Sequence, residues 1–318
     1  MRILFWGTPA FARTVLQGLL DAGRDVVGVV TQPDRPAGRG RKLQAPPVKT
    51  AAESAGLPVL QPDRPRGDDF MDSLRALQPD ISVVAAYGHI LPAEVLDLPP
   101  LDSFNVHGSL LPELRGAAPV NWAIIRGHSE SGVTIMKMVE AMDAGPIVLR
   151  ARCDLPPDIT AGALTEQLAE LGARALLEAL QLIEAGRGDG EPQDDEAATY
   201  APKLTADDAR LDWTLPAVDL DRWVRGTDPV PGAWTELEGL RVRMFAPRVV
   251  ESTAESEPGV VVAAEPGVVV AAEPGVGLQV ATGSGTLGIG EVQPAGKRRM
   301  DATGWIHGRG IEQGQRFA

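Results

Sequence analysis

Asn105, His107 and Asp143 have the types and spacing to do chemistry. Residues two apart in an extended strand share a side, so the Asn105 carboxamide and the His107 imidazole project from one face. That pairing suits acyl chemistry: one group holds a developing oxyanion while the other moves a proton or adds positive charge. Asp143, in Met142-Asp143-Ala144-Gly145, supplies a third part if the fold brings its carboxylate to the same strand end. There it can orient His107, favour the imidazolium and accept a proton from an incoming nucleophile. An Asn-x-His pair by itself is more often a hydrogen-bonded strand end, so the surroundings decide.

The elements around these residues read as alternating strands and helices. Arg2 to Trp6, Asp25 to Val30, Ile81 to Ala86, Ser103 to His107 and Val133 to Met138 are apolar, strand-like runs. Phe11 to Ala22, Pro47 to Ser54, Asp69 to Leu77 and Val120 to Arg126 read as helices between them. This rhythm predicts an α/β fold with a doubly wound, mostly parallel sheet, in which ligands bind beyond the carboxyl ends of strands. Asn105 and His107 fall at such an end. Gly7-Thr8-Pro9-Ala10-Phe11 lacks the G-x-G-x-x-G spacing, which disfavours a nicotinamide dinucleotide. A long helix from Ala161 to Ala185 carries Leu164, Leu168, Leu171, Leu176, Leu180 and Ile183 as core positions at helical spacing.

Beyond Lys203 the texture changes to a short helix, Pro216 to about Val224, and then short runs cut by Gly and Pro. The runs Ala233 to Glu236, Arg241 to Ala246, Val260 to Ala263, Gly277 to Ala281 and Thr286 to Val292 predict a small barrel. Glu257-Pro258-Gly259-Val260-Val261-Val262-Ala263-Ala264 recurs at once as Glu265 to Ala272 and restarts at Glu273-Pro274-Gly275. Two short copies are too few for a repeat architecture and read as a duplication lengthening a hairpin or loop.

Composition narrows the options. With 318 residues and 44% hydrophobic content, the chain can bury two cores. Its longest apolar runs fall far short of a membrane span, and Met1 to Trp6 is cut off by Gly7-Thr8-Pro9 before a signal-peptide core forms. A cytoplasmic protein is expected. One cysteine, Cys153, and four scattered histidines leave no metal-ligand spacing, so no metal is expected. The net charge of −13 opposes nucleic-acid binding overall, yet Arg35, Arg39, Arg41 and Lys42 cluster in one Pro- and Gly-punctuated loop and Lys297-Arg298-Arg299 in a second knot. Such runs are usually solvated surface unless context argues otherwise.

The context comes from the wording of the chain. Phe5-Trp6-Gly7-Thr8-Pro9, the stretch Thr31 to Gly40, Ala86 to Pro92, Asn105 to Pro112, Arg115-Gly116-Ala117-Ala118-Pro119 and Gly132 to Met136 stand in order. In these the chain resembles the formyltransferase family that uses 10-formyltetrahydrofolate. Thr199-Tyr200-Ala201-Pro202-Lys203-Leu204 and Gln293-Pro294-Ala295-Gly296-Lys297 extend the resemblance into a C-terminal part that the glycinamide ribonucleotide branch lacks. That extension selects the tRNA-directed branch. The resemblance implies a catalytic domain over 1–190, a linker over 191–206 and an OB-like tRNA-binding domain over 207–318.

It further implies transfer of the formyl group of 10-formyltetrahydrofolate to the α-amine of methionine on initiator tRNA, by a monomer. Asn105 and His107 would stabilise the tetrahedral oxyanion, and Asp143 would orient His107 and assist proton transfer. Ser109, Leu110, Leu111 and Pro112 resemble the folate-contacting turn, and Tyr87, Gly88, His89, Ile90 and Leu91 the wall that receives the pterin. Arg35, Arg39, Arg41 and Lys42 resemble a loop that orders on the acceptor arm, with Lys297, Arg298 and Arg299 on the stem. The chain departs from the pattern at Glu113-Leu114, where relatives commonly carry a basic residue and then an aromatic one.

Overall fold

Runs rich in Val and Ile form the strands that carry the site, because β-branched side chains suit a pleated, half-buried surface. In chain order these are β1 (Arg2–Gly7), β2 (Asp25–Val30), β3 (Arg35–Ala37), β4 (Lys42–Gln44), β5 (Val59–Leu60), β6 (Ile81–Ala85), β7 (Ser103–His107), β8 (Glu130–Lys137) and β9 (Ile147–Asp154). The computed structural model describes residues 1–37, 42–250, 267–273 and 277–318. They divide into two units, one of 1–119, 130–154 and 164–202, the other of 120–129, 155–163 and 203–318.

The first unit holds a seven-stranded sheet in the order β5-β2-β1-β6-β7-β8-β9. It is parallel from β5 to β7 and antiparallel from β7 to β9. The order reverses beside β1, which places the crevice for ligands at the carboxyl ends of β1, β6 and their neighbours. Helices α1 (Ala10–Asp21), α2 (Pro47–Ser54), α3 (Asp68–Ala76) and α4 (Ala93–Leu96) fill its connections, and α5 (Pro119–Ile125) falls almost wholly in the second unit. The expected loop at 35–43 is partly a ribbon, with β3 and β4 pairing antiparallel from Arg35↔Gln44 to Ala37↔Lys42. At its base, the Gln61 amide and the Lys49 ammonium hold the Asp34 carboxyl below its usual range.

Helix α6 (Ala161–Glu184) buries Leu164, Leu168, Leu176, Leu180 and Ile183 as the periodicity predicts. Leu171 is only half-buried, and Gly172 takes the inward position beside it. A Cβ at Gly172 would stand 3.0 Å from Val106 Cγ1, so glycine is what lets the helix approach β7. The strand that carries Asn105 and His107 is thus backed directly by α6.

In the second unit, α7 (Ala217–Thr227) precedes β10 (Trp234–Leu237), β11 (Leu240–Val250), β12 (Val269–Glu273), β13 (Gly277–Ala281), β14 (Thr286–Pro294), β15 (Met300–Asp301) and α8 (Ala302–His307). The strands form a barrel-like antiparallel sheet in the order β10-β11-β14-β13-β12, with β15 on β14. Its core gathers Trp213, Leu220, Val224, Met244, Val280, Leu287 and Phe317, with Phe317 stacked on Trp213 at 5.8 Å. The expected run Val260 to Ala263 lies outside the described residues. The second copy of the repeated unit supplies β12, which pairs with β13 as a true edge strand.

Candidate active site

Strand β7 puts the two sequence-adjacent candidates on one face at its carboxyl end. Asn105 sits between Val84 of β6 and Met136 of β8, and His107 opposite Thr134. His107 is 5% exposed, and its Nε2 lies 3.0 Å from the Leu114 carbonyl. A carbonyl only accepts, so the proton belongs on Nε2, an assignment made from the hydrogen-bond partner. Nδ1 faces Asp143 Oδ2 at 3.7 Å, outside hydrogen-bond range.

Asp143 joins the group from the loop between β8 and β9. Its Oδ1 accepts from Asn105 Nδ2 at 3.4 Å and its Oδ2 from the Gly116 N–H at 2.9 Å. Its φ of +51° is left-handed, a conformation Asp tolerates better than most residues. The three residues picked out by type and spacing therefore converge, with the carboxylate between a carboxamide and an imidazole.

The turn 108–116 is held from two strands. Thr134 Oγ1 donates to Ser109 O at 2.7 Å and receives the Leu111 N–H at 3.1 Å, while Arg150 Nε donates to Leu111 O at 2.8 Å. Leu114 is buried, and its backbone carbonyl is what meets His107, so the unusual side chain at this position leaves that bond intact. Gly116 adopts φ +120°, and a Cβ there would stand 2.7 Å from the Ala201 carbonyl. Gly116→Ala is accordingly expected to lower stability by about 1–3 kcal/mol, read as a fall in melting temperature.

Sequence reasoning missed a brace around this group. Thr199 Oγ1 accepts from the Leu114 N–H at 2.9 Å, and Thr199 O accepts from the Arg115 N–H at 2.8 Å. Gln193 donates to the Asp143 and Gly145 carbonyls. Gln193 lies in a stretch rich in Gly and acidic residues with no periodicity, where nothing local marks it, and Thr199 opens the Thr199 to Leu204 motif without any sign of which backbone it would hold.

The expected folate residues surround the same strand ends. Ser109 and Leu111 are buried, and Leu110 and Pro112 half-buried. Tyr87 and Leu91 are buried, whereas Gly88, His89 and Ile90 are exposed, Ile90 by 76%. The Tyr87 carbonyl receives Thr8 Oγ1 at 2.9 Å, and His89 Nε2 lies 3.0 Å from Gln32 Oε1. Burial pushes the Tyr87 phenol up to about 12, and its oxygen has no hydrogen-bond partner among the described residues. The folded state keeps this proton when the unfolded chain, at the ordinary value near 10, releases it. The resulting stability is present below pH 10 and lost as pH climbs toward 12. Tyr87→Phe is expected to flatten alkaline unfolding across that window and to remove the late step from an ultraviolet tyrosinate titration.

Of the basic candidates, Lys42, Lys297 and Arg298 are exposed, and Arg35 donates to Gln32 Oε1 at 2.9 Å. Arg39 and Arg41 lie outside the described residues. Arg299 turns to Asp228 at 3.0 Å and to Glu291, with its guanidinium 4.0 Å from the Phe245 ring centroid. Asp228 is 6% exposed, so this arginine compensates a buried charge. Among the described residues no group of three His, Cys, Asp or Glu could hold a metal ion, and no helix is long and apolar enough to cross a membrane.

Known proteins of the same pattern bear on this geometry. Residues 1–180 match the formyl transferase family, and residues 203–310 match the formyl transferase C-terminal domain. A methionyl-tRNA formyltransferase from Desulfotalea psychrophila is 49% identical over 98% of this chain and 94% of its own. One from Symbiobacterium thermophilum is 48% identical over 100% of this chain and 95% of its own. HypX from Aquifex aeolicus, solved in complex with tetrahydrofolic acid, shares the fold with a TM-score of 0.67 at 19% identity, covering 96% of this chain and 47% of that one.

Proposed function

The chain belongs to the formyl transferase family, and we propose that it moves the formyl group of 10-formyltetrahydrofolate onto the α-amine of methionine esterified to initiator tRNA. The observation that carries this reading is the convergence of Asn105, His107 and Asp143 at the carboxyl end of β7. Identity of 49% and 48% over nearly the whole chain to methionyl-tRNA formyltransferases supports this choice of acceptor, and the formyl transferase family match supports the donor.

When bound, the folate supplies a formyl group on N10. Asn105 carries an amide hydrogen beyond the one it turns to Asp143, and this donates to the formyl oxygen as negative charge develops there. His107, with Nε2–H on the Leu114 carbonyl and a proton on Nδ1 facing Asp143, adds positive charge beside that oxygen. Asp143 accepts the proton that the attacking amine must shed, and passes it toward the departing nitrogen. The turn of Ser109, Leu110, Leu111 and Pro112 and the segment Tyr87 to Leu91 flank the folate, since exposed Ile90 beside buried Tyr87 and Leu91 offers apolar surface to a flat heteroaromatic ring.

In this reading residues 1–190 are catalytic, 191–206 a linker and 207–318 the tRNA-binding domain, working as a monomer in the cytoplasm. Arg35, Arg39, Arg41 and Lys42 meet the acceptor arm, and Lys297, Arg298 and Arg299 the stem phosphates. Lys297→Ala and Arg298→Ala are each expected to weaken tRNA binding and reduce the slope of log affinity against log salt by about 0.7 to 0.9. Arg299→Ala is expected in addition to lower the melting temperature, because it strands Asp228. Binding titrations at several salt concentrations and thermal melts separate the two outcomes.

The test of the whole reading is incubation with 10-formyltetrahydrofolate and radiolabelled methionyl initiator tRNA, scoring N-formylmethionine after mild deacylation. Formylmethionine is the expected product. Tetrahydrofolate released without formylated tRNA would turn the reading toward hydrolysis.

A further inference from the structure

The segment between the two family matches, residues 181–202, contains the residue that grips the turn of Asp143. Gln193 Nε2 donates to Asp143 O at 2.8 Å and to Gly145 O at 2.7 Å. Its Oε1 accepts from Arg115 Nε at 3.0 Å and from Arg115 Nη2 at 2.9 Å. Both amide hydrogens and both oxygen lone pairs are therefore used, which is the full capacity of a carboxamide. Arg115 is 4% exposed and its Nη2 also reaches Asp195 at 2.8 Å, so the guanidinium is a fixed post rather than a mobile surface group. Backbone pairing beside it, with the Ala201 N–H on Arg115 O at 2.7 Å and the Thr199 N–H on Pro112 O at 3.3 Å, ties the segment to the turn that carries Leu114 and Gly116.

We propose that Gln193 is a positioning residue for formyl transfer, holding the left-handed turn of Asp143 so that its carboxylate stays on His107 and Asn105. The proposal rests on the reading of Asp143 as the proton acceptor. Asp143 sits at a φ that non-glycine residues avoid, and its side chain contributes contacts of 2.9, 3.4 and 3.7 Å, only the first of them a strong hydrogen bond. Two bonds to the carbonyls of this turn stop it from relaxing outward. Asp195, Arg115, Gln193 and the turn form one relay of hydrogen bonds behind the reacting groups. It links the carboxylate to the chain segment that leads out of the first unit.

Glutamate at 193 separates positioning from bracing. Its carboxylate can still accept from Arg115, and the added charge strengthens that pair, yet it has no hydrogen to give the two carbonyls. In an enzyme whose wild type makes formylmethionyl-tRNA, Gln193→Glu is expected to lower kcat about 10- to 100-fold, as misplacement of a reacting group by about 1 Å does. KM for both substrates should stay within about threefold, since a residue that binds neither moves kcat and leaves KM. Gln193→Ala, which introduces no charge, is expected to show the same split and covers the case in which the Glu variant does not fold. The deciding measurement is a double-mutant cycle with Asp143→Asn. If Gln193 acts through Asp143, the double variant is no slower than Asp143→Asn alone. Losses that multiply, or a kcat within twofold of wild type in either soluble single variant, would overturn the proposal. A wild type that forms no formylmethionyl-tRNA would instead defeat the reading of function on which it stands.

Discussion

Asp143→Asn is expected to lower kcat by about 10⁴-fold, the loss seen when the carboxylate that orients a catalytic histidine becomes an amide in serine hydrolases. Asparagine is the informative substitution because it tolerates the φ of +51° that this position adopts, whereas alanine would add backbone strain. The amide oxygen can keep the Gly116 N–H, so the turn survives. Three things are lost together. The negative charge 3.7 Å from His107 Nδ1 disappears. The proton acceptor for the amine disappears. Asn105 also loses its acceptor at Oδ1, so its carboxamide is free to rotate and present oxygen where it should present N–H. Single-turnover formyl transfer with saturating donor reads the chemical step directly, and a melting curve shows that the fold is intact. A variant within tenfold of wild type would remove Asp143 from the chemistry.

How far the site was legible follows from how each residue is placed. Asn105 and His107 could be paired from spacing alone, since a strand period of two needs only local backbone geometry. Asp143 could be named as a candidate by its type, but its arrival at the same strand end could not be derived locally, because 35 residues and an antiparallel return through β8 lie between it and His107. Gln193 was not legible at all, and Thr199 only as part of a motif and not as a brace, because hydrogen bonds across 50 and 85 positions leave no periodic trace. The parallel core showed itself as continuous apolar runs, as in fully buried β6. Strand β9, in which Cys153 alone reads as a strand residue, could not be delimited because Arg150, Arg152 and Asp154 interrupt it, and an edge strand can expose charge that a central one cannot. Leu171 was assigned to the core by a regular leucine spacing, but the close approach of α6 to Val106 needs glycine at the next position and turns Leu171 partly outward.

Asn105→Ala carries the second large effect, an expected fall of about 100- to 1000-fold in kcat, the range found when one oxyanion donor is removed. The magnitude depends on what else can donate. His107 Nε2–H is committed to the Leu114 carbonyl at 3.0 Å, so the imidazole meets the oxygen through its charge and Nδ1 edge, leaving the Asn105 amide as the side-chain donor least constrained by other partners. Because the charge on the oxygen grows during the reaction, the loss should fall on kcat, with KM for the folate changing little. Asn105→Asp makes a sharper comparison. It is nearly the same shape, but it places a second carboxylate within hydrogen-bond distance of Asp143 and offers an acceptor to an oxygen that needs a donor. Asn105→Asp should therefore be slower than Asn105→Ala despite the smaller change in volume. The reverse order in single-turnover rates would mean that position 105 serves packing, and the oxygen would have to be held elsewhere.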